Sequence, residues 1–135
     1  MSAVLLDVNL LLAAAWDAHP RHAEARAWLT GLEGFSTCPL TELGFIRVSM
    51  SPAFGASFDQ ATAFISGLQG LPTASRIDDD FNAALIPRVA RYKDTTDAYL
   101  LSLAISHRQR LATLDQGILK AEWARDGAFD PFQTS

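Results

Sequence analysis

Ala3-Val4-Leu5-Leu6-Asp7-Val8-Asn9-Leu10-Leu11-Leu12-Ala13 places an aspartate between a short apolar run and a longer apolar stretch. The first run falls far short of the ~18 residues that cross a membrane, and it has the length of a strand covered on both faces. The second stretch begins a helix. In open α/β folds, ligands are held outside the carboxyl ends of the strands, where Asp7 stands. An aspartate there also caps a helix by accepting hydrogen bonds from free N–H groups, so this stretch alone leaves both roles open.

The same alternation continues along the chain. Asp17 and Pro20 open an amphipathic helix with Ala25, Trp28, Leu29 and Leu32 on one face, and Gly31 and Gly34 mark its end. Phe35 to Cys38 reads as a second strand, and Pro39 starts a helix through Leu43, Ile46 and Met50 that Ser51-Pro52 closes. Ala61, Phe64, Ile65 and Leu68 define a further helix, and Thr73 to Ile77 a third strand. Asp78-Asp79-Asp80 ahead of Phe81, Ala84 and Leu85 predicts a helix that Pro87 ends or kinks. A basic connection, Arg88 to Lys93, leads to Thr95-Thr96-Asp97 and a helix with Leu101, Ala104, Ile105 and Arg108 on one face. Leu111 to Leu114 is a fourth strand ending at Asp115, and Ala128 to Phe132 offers a fifth. Strands interleaved with helices predict an α/β fold whose four- or five-stranded, mainly parallel sheet is covered on both faces.

The 135 residues suit one domain over 1–135, with 49% hydrophobic and 19% charged residues, the balance of a packed globular chain. The N-terminus lacks a basic n-region and a cleavage site, and no run is long enough to span a bilayer, so a cytoplasmic protein with no membrane role is expected. Cys38 is alone, which excludes an intrachain disulfide and a thiolate metal cluster and leaves it a small buried hydrophobe. A net charge of −4 argues against coating nucleic acid by bulk attraction. It does not argue against a metal-dependent nuclease: with four of the 15 acids at a metal site, 15 − 4 = 11 would match the 11 basic residues.

Four acids stand out. Asp7 and Asp115 follow strands, Asp97 lies in the first turn of its helix, and Glu42 is surrounded by Leu40, Leu43, Phe45, Ile46 and Val48. Each has a bland alternative: a cap or turn for Asp7 and Asp115, the helix macrodipole for Asp97, and an ion pair with Arg47 or another base for Glu42. Together they gain force, because a parallel sheet gathers strand ends and helix starts on one edge. Two carboxylates ~4 Å apart repel by about 4 kcal/mol at an effective dielectric near 20, so such a cluster calls for a cation. Oxygen donors alone suit Mg²⁺ or Mn²⁺, which can activate a water toward a phosphodiester.

Leu5-Leu6-Asp7-Val8-Asn9, Thr41-Glu42-Leu43-Gly44-Phe45, Thr96-Asp97-Ala98-Tyr99-Leu100 and Leu111-Ala112-Thr113-Leu114-Asp115 resemble, in order and spacing, the four acidic motifs of PIN-domain nucleases. Over nearly its whole length the chain is similar to the VapC ribonuclease toxins of toxin–antitoxin pairs. The resemblance implies an α/β/α sandwich, a metal-dependent endoribonuclease that leaves a 5′-phosphate, and Asp7, Glu42, Asp97 and Asp115 as catalytic metal ligands. It implies Asn9 and Thr113 as supports for the acids. It also implies an RNA substrate, a cognate antitoxin whose C-terminal segment fills the groove, and a homodimer. Arg88, Arg91 and Lys93 are candidates for contacts to RNA phosphates, and Asp94 is a possible extra acid. A catalytically silent module that binds RNA or protein is the alternative from another class.

Other signals carry less. His19 and His22 lack a third ligand, and a metal-free ribonuclease would need histidines as acid and base, whereas His107 falls at a helix end away from the acids. Trp16, Trp28 and Trp123 are read as packing residues. An aspartyl-nucleophile phosphatase needs a second aspartate two residues after the first, and that position is Asn9.

Overall fold

A computed structural model describes residues 3–133, so Met1, Ser2, Thr134 and Ser135 of the expected 1–135 domain lie outside the described residues. The first apolar run forms strand β1 (Val4–Leu6), and Asp7 breaks it into helix α1 (Val8–Ala15). The chain continues through α2 (His22–Thr30), β2 (Phe35–Thr37), α3 (Pro39–Ser49), α4 (Phe58–Gln69) and β3 (Ala74–Arg76). It then runs through α5 (Thr95–Ser106), β4 (Arg110–Ala112), the short α6 (Gln116–Leu119) and β5 (Ala128–Phe129). All four strand pairings are parallel, in the order β3-β2-β1-β4-β5.

That order fixes the location of the site. From β1 the chain winds outward to β2 and β3, then returns to lay β4 on the other side of β1. The carboxyl ends of β1 and β4 therefore flank the point where the winding reverses, the crevice in which open α/β sheets hold ligands. Leu6 is in register with Ala112, and the N–H of Asp7 donates to the carbonyl of Ala112 at 3.0 Å, so Asp7 sits one residue past the ladder beside β4.

Side-chain alternation along the strands separates two cores. Leu5 and Leu111 point to the face covered by α5, where Leu100, Leu101, Leu103 and Ile118 pack. Leu6, Phe35 and Ala112 point to the opposite face, covered by α1 to α4 through Leu10, Leu11, Phe45 and Ile65. The result is three layers with the sheet in the middle. Burying a leucine fully is worth roughly 1.5–3 kcal/mol, and both faces of the sheet draw on such residues.

Two expectations change. The helix expected after Asp78-Asp79-Asp80 reduces to a three-residue 3-10 turn, Ala83–Leu85, held by the Asn82 side chain accepting from the Ala84 N–H. Pro87 forces the preceding Ile86 into an extended conformation, and Ala84 and Leu85 face solvent with no layer to pack on. β5 spans only Ala128–Phe129, because Asp130 folds back to accept from the Phe132 N–H and Pro131 has no N–H for a ladder.

Candidate active site

Asp7 caps α1: its Oδ1 accepts from the N–H of Val8 at 2.8 Å, and its Oδ2 accepts from the Thr113 hydroxyl at 2.6 Å. Thr113, wholly buried just past β4, also accepts at its Oγ1 from the N–H of Asp115 at 3.0 Å. Asp115 in turn caps α6 by accepting from the Ile118 N–H at 3.2 Å. Asn9 completes the frame, its Oδ1 accepting from the Leu114 N–H at 3.2 Å. Thr113 and Asn9 thus tie the start of α1 to the loop after β4.

Asp97 approaches from the first turn of α5. Asp7, Asp97 and Asp115 line one cleft of about 460 Å³. Their electrostatics show the crowding. Burial pushes the Asp7 carboxyl above its usual range, its hydrogen bonds from Thr113 and Val8 pull it back in part, and Asp115 raises it further. The Asp97 carboxyl is pushed up to about 7, first by burial and then by the negative charges of Asp7, Asp115 and Asp94. Burial and acidic neighbours thus hold the carboxyls of Asp7 and Asp97 above the usual carboxylate range.

Glu42 departs from the expected arrangement. Its carboxylate is buried, but it faces the β2–β3 side: Arg76 donates to both its oxygens at 2.8 Å, Thr37 donates to Oε2 at 2.8 Å, and Gln69 donates at 3.3 Å. Burial alone would raise this carboxyl, yet Arg76, Thr37 and Gln69 outweigh it and hold it below its usual range. The reason is helix phase. Leu40, Leu43, Gly44 and Arg47 recur at i, i+3, i+4 and i+7 and form the face of α3 that lines the cleft. Glu42 falls on another face, and its ion-pair partner is Arg76, not Arg47.

Gly44 sets how close α3 comes. A Cβ there would meet Val8 Cγ2 at 2.9 Å, so the absence of a side chain lets α3 lie against the residue that follows Asp7. Arg47, one turn further on, is a cleft residue that motif reading overlooked, although its spacing from Leu40 and Gly44 was legible.

Of the basic connection, Arg88 and Arg91 line a separate groove of about 1100 Å³ together with Trp123 and Arg125, whereas Lys93 is exposed outside it. Asp94 sits in that groove, 3.6 Å from Arg91, yet near enough to Asp97 to raise its carboxyl. His22 hydrogen-bonds the Ala13 carbonyl, His19 accepts from the Arg21 N–H, and His107 pairs with Asp80 at 2.9 Å at the far end of α5. Trp16 donates to Ser49 and stacks on Phe45, and Trp28 meets Phe129 and Phe132 edge-on, so both pack. Trp123 packs partly against the α5 core, and burial pushes the Cys38 thiol up to about 11.

The PIN domain family model matches residues 4–124. The chain belongs to the PIN-domain family. Within it, Ribonuclease VapC38 of Mycobacterium tuberculosis (strain ATCC 25618 / H37Rv) is 41% identical over 126 residues, covering 84% of this chain and 86% of the relative. Ribonuclease VapC44 (strain CDC 1551 / Oshkosh) is 36% identical over 125 residues, covering 84% and 87%, and Ribonuclease VapC29 of the same strain is 36% identical over 118 residues, covering 85% and 87%. Within the PIN domains the chain thus belongs with the VapC family, and its five-stranded parallel sheet flanked by helices is the fold the sequence predicts. No helix among the described residues is long and apolar enough to cross a membrane.

PIN-domain nucleases use divalent metals, and the donor set here fits such an ion. Among the described residues no three acid, histidine or cysteine side chains close into a cage. Three oxygen donors open to a cleft nonetheless match Mg²⁺, which keeps several waters and takes few protein ligands. Burial and neighbouring acids raise the carboxyls of Asp7 and Asp97, and a divalent cation beside them would favour their charged forms.

Proposed function

We propose that the chain, a single domain over 1–135, is a Mg²⁺- or Mn²⁺-dependent endoribonuclease that cuts RNA within the strand and is restrained by a cognate antitoxin. The observation that carries this reading is the convergence of Asp7, Asp97 and Asp115 on one cleft, with Asp97 pushed up to about 7 by burial and then by its acidic neighbours. These three would hold the ion. When bound, the ion supplies a water of lowered pKa and charge neutralisation at the phosphate.

The chain's own residues do the rest. Thr113 fixes the rotamer of Asp7 and the backbone of Asp115 at once, so two ligands share one buried hydroxyl as their reference point. Asn9 locks the loop after β4 onto α1 and keeps those two strand ends in step. Asp97, with its carboxyl pushed up to about 7, would give up its remaining proton on becoming a ligand. Glu42 serves the site indirectly, by clamping β2, α4 and β3 through Thr37, Gln69 and Arg76. Arg88 and Arg91 receive RNA phosphates along the neighbouring groove, and the protein works in the cytoplasm as a homodimer.

The test is a cleavage assay on total RNA with Mg²⁺ or Mn²⁺, with EDTA and with Asp97→Ala. Cutting that requires the metal and Asp97, and that leaves 5′-phosphate ends, supports the reading. Undiminished cutting in EDTA and in Asp97→Ala would sink the metal assignment, and no cutting of any RNA by wild type would favour a silent binding module.

A further inference from the structure

The acid cleft has a cation of its own in its wall. Arg47 lines it with Asp7, Asp97 and Asp115 and is exposed to solvent. We propose that Arg47 binds a phosphate of the RNA at or beside the bond being cut, an inference that rests on the nuclease reading of the same cleft.

Three observations converge on this residue. The first is phase: Leu40, Leu43, Gly44 and Arg47 share the cleft face of α3, and Gly44 presses that face onto Val8, next to Asp7. Arg47 thus shares the helix face that the Gly44 contact brings beside Asp7. The second is that its charge is uncommitted. Among the described residues the ion pairs join Arg21 to Glu24, Arg76 to Glu42, Arg91 to Asp94 and His107 to Asp80, and none involves Arg47. The acid nearest to it in sequence, Glu42, is already satisfied by Arg76 on another face.

The third is charge balance. Three carboxylates and one divalent ion leave a net −1, so a phosphodiester, itself −1, would enter a repulsive site. One guanidinium brings the site to neutrality before the substrate arrives. Its planar fork of N–H donors also matches two phosphate oxygens, which an ammonium does not. A basic residue in the last turn of α3 is favoured by the helix dipole in any case. That preference is blind to which side of the helix the residue faces, and it leaves the position on the acid cleft unexplained.

The probe is a fluorescein-labelled single-stranded RNA, titrated in Mg²⁺ against the Asp97→Asn protein, which retains Asp7 and Asp115 but does not cut. Adding Arg47→Met should weaken binding about tenfold and lower the slope of log affinity against log salt by about 0.7, the loss of one phosphate contact on a single strand. Arg47→Lys should keep the slope and recover only part of the affinity, because the charge stays and the fork is lost. Arg108→Met, at the far end of α5, should change neither. In the cutting protein, Arg47→Met should raise KM more than it lowers kcat. An unchanged affinity and slope in Arg47→Met, with wild type still cutting, overturns the role of Arg47 and leaves the nuclease reading intact. Wild type that fails to cut overturns both.

Discussion

Glu42 offers the sharpest test of how this site is built, because motif order and geometry assign it different work. In the structure its buried carboxylate accepts from Thr37, Gln69 and, through both oxygens, Arg76. Glu42→Gln keeps the shape but replaces one accepting oxygen by an amide that faces the Arg76 guanidinium, donor against donor. Breaking a buried ion pair costs about 3–5 kcal/mol. The Arg76 side chain is 49% exposed against 9% for Glu42, so Arg76 regains water and the cost falls to about 2 kcal/mol. For 135 residues, at about 2.1 cal/mol/K each, the unfolding entropy near the midpoint is about 280 cal/mol/K, and Tm should drop by about 7 °C. Arg76→Met should cost a similar amount, since it strands the buried carboxylate. The double variant should cost little more than either single one, giving a coupling of about 1–2 kcal/mol.

The cycle is read by thermal or urea unfolding in metal-free buffer. It has a pH signature as well. The folded Glu42 carboxyl lies below its usual range, so its contribution is present above the unfolded value and fades as pH falls through the folded one. If instead the Glu42 carboxylate worked in the acid cluster, Glu42→Gln would relieve repulsion, Tm would hold or rise, and Arg76→Met would show no coupling to it. That result would refute the phase argument for α3.

Two further outcomes follow from the same geometry. Asp97 titrates at about 7 in the metal-free protein, well above an unfolded aspartate, so its part of the stability is present at low pH and is lost as pH rises through about 7. Mg²⁺ or Mn²⁺ affinity, followed by calorimetry, should accordingly climb with pH up to about 7 and level off, with proton release on binding below it; a flat profile would contradict the crowding of the acids. Thr113→Val removes the one hydroxyl that serves both Asp7 and Asp115 in a wholly buried position, and should cost about 1–3 kcal/mol in urea unfolding together with a loss of metal affinity. Unchanged metal affinity in Thr113→Val would mean that the two acids hold their positions without it.

What the sequence discloses about this site depends on the kind of element that carries each residue. Asp7 and Asp115 follow apolar runs that can only be covered strands, and parallel strands bring their carboxyl ends to one edge whatever the side chains do. Their meeting is legible from order alone, and Asn9 and Thr113 stand two residues from them, one in the first turn of α1 and the other just past β4. Asp97 starts its helix at that edge, and the phase of α5 brings it into the cleft.

Glu42 also lies in the first turn of its helix, yet each step along α3 rotates a side chain by about 100°, so starting at the right edge does not fix which way it faces. Whether position 42 or position 47 faces the acids then turns on which residue touches α1, and that contact is made by Gly44 against Val8, a detail of packing that no motif encodes. The segment between β3 and α5 is illegible for the opposite reason: Asp78 to Asp80 promise a helix start, but with Pro87 ahead and Ala84 and Leu85 left facing solvent, local propensity has little tertiary packing to secure it. The same phase that takes Glu42 away from the cleft delivers Arg47 to it. A reading of acids alone therefore describes the half of the site that attracts a cation and omits the residue that would receive the phosphate.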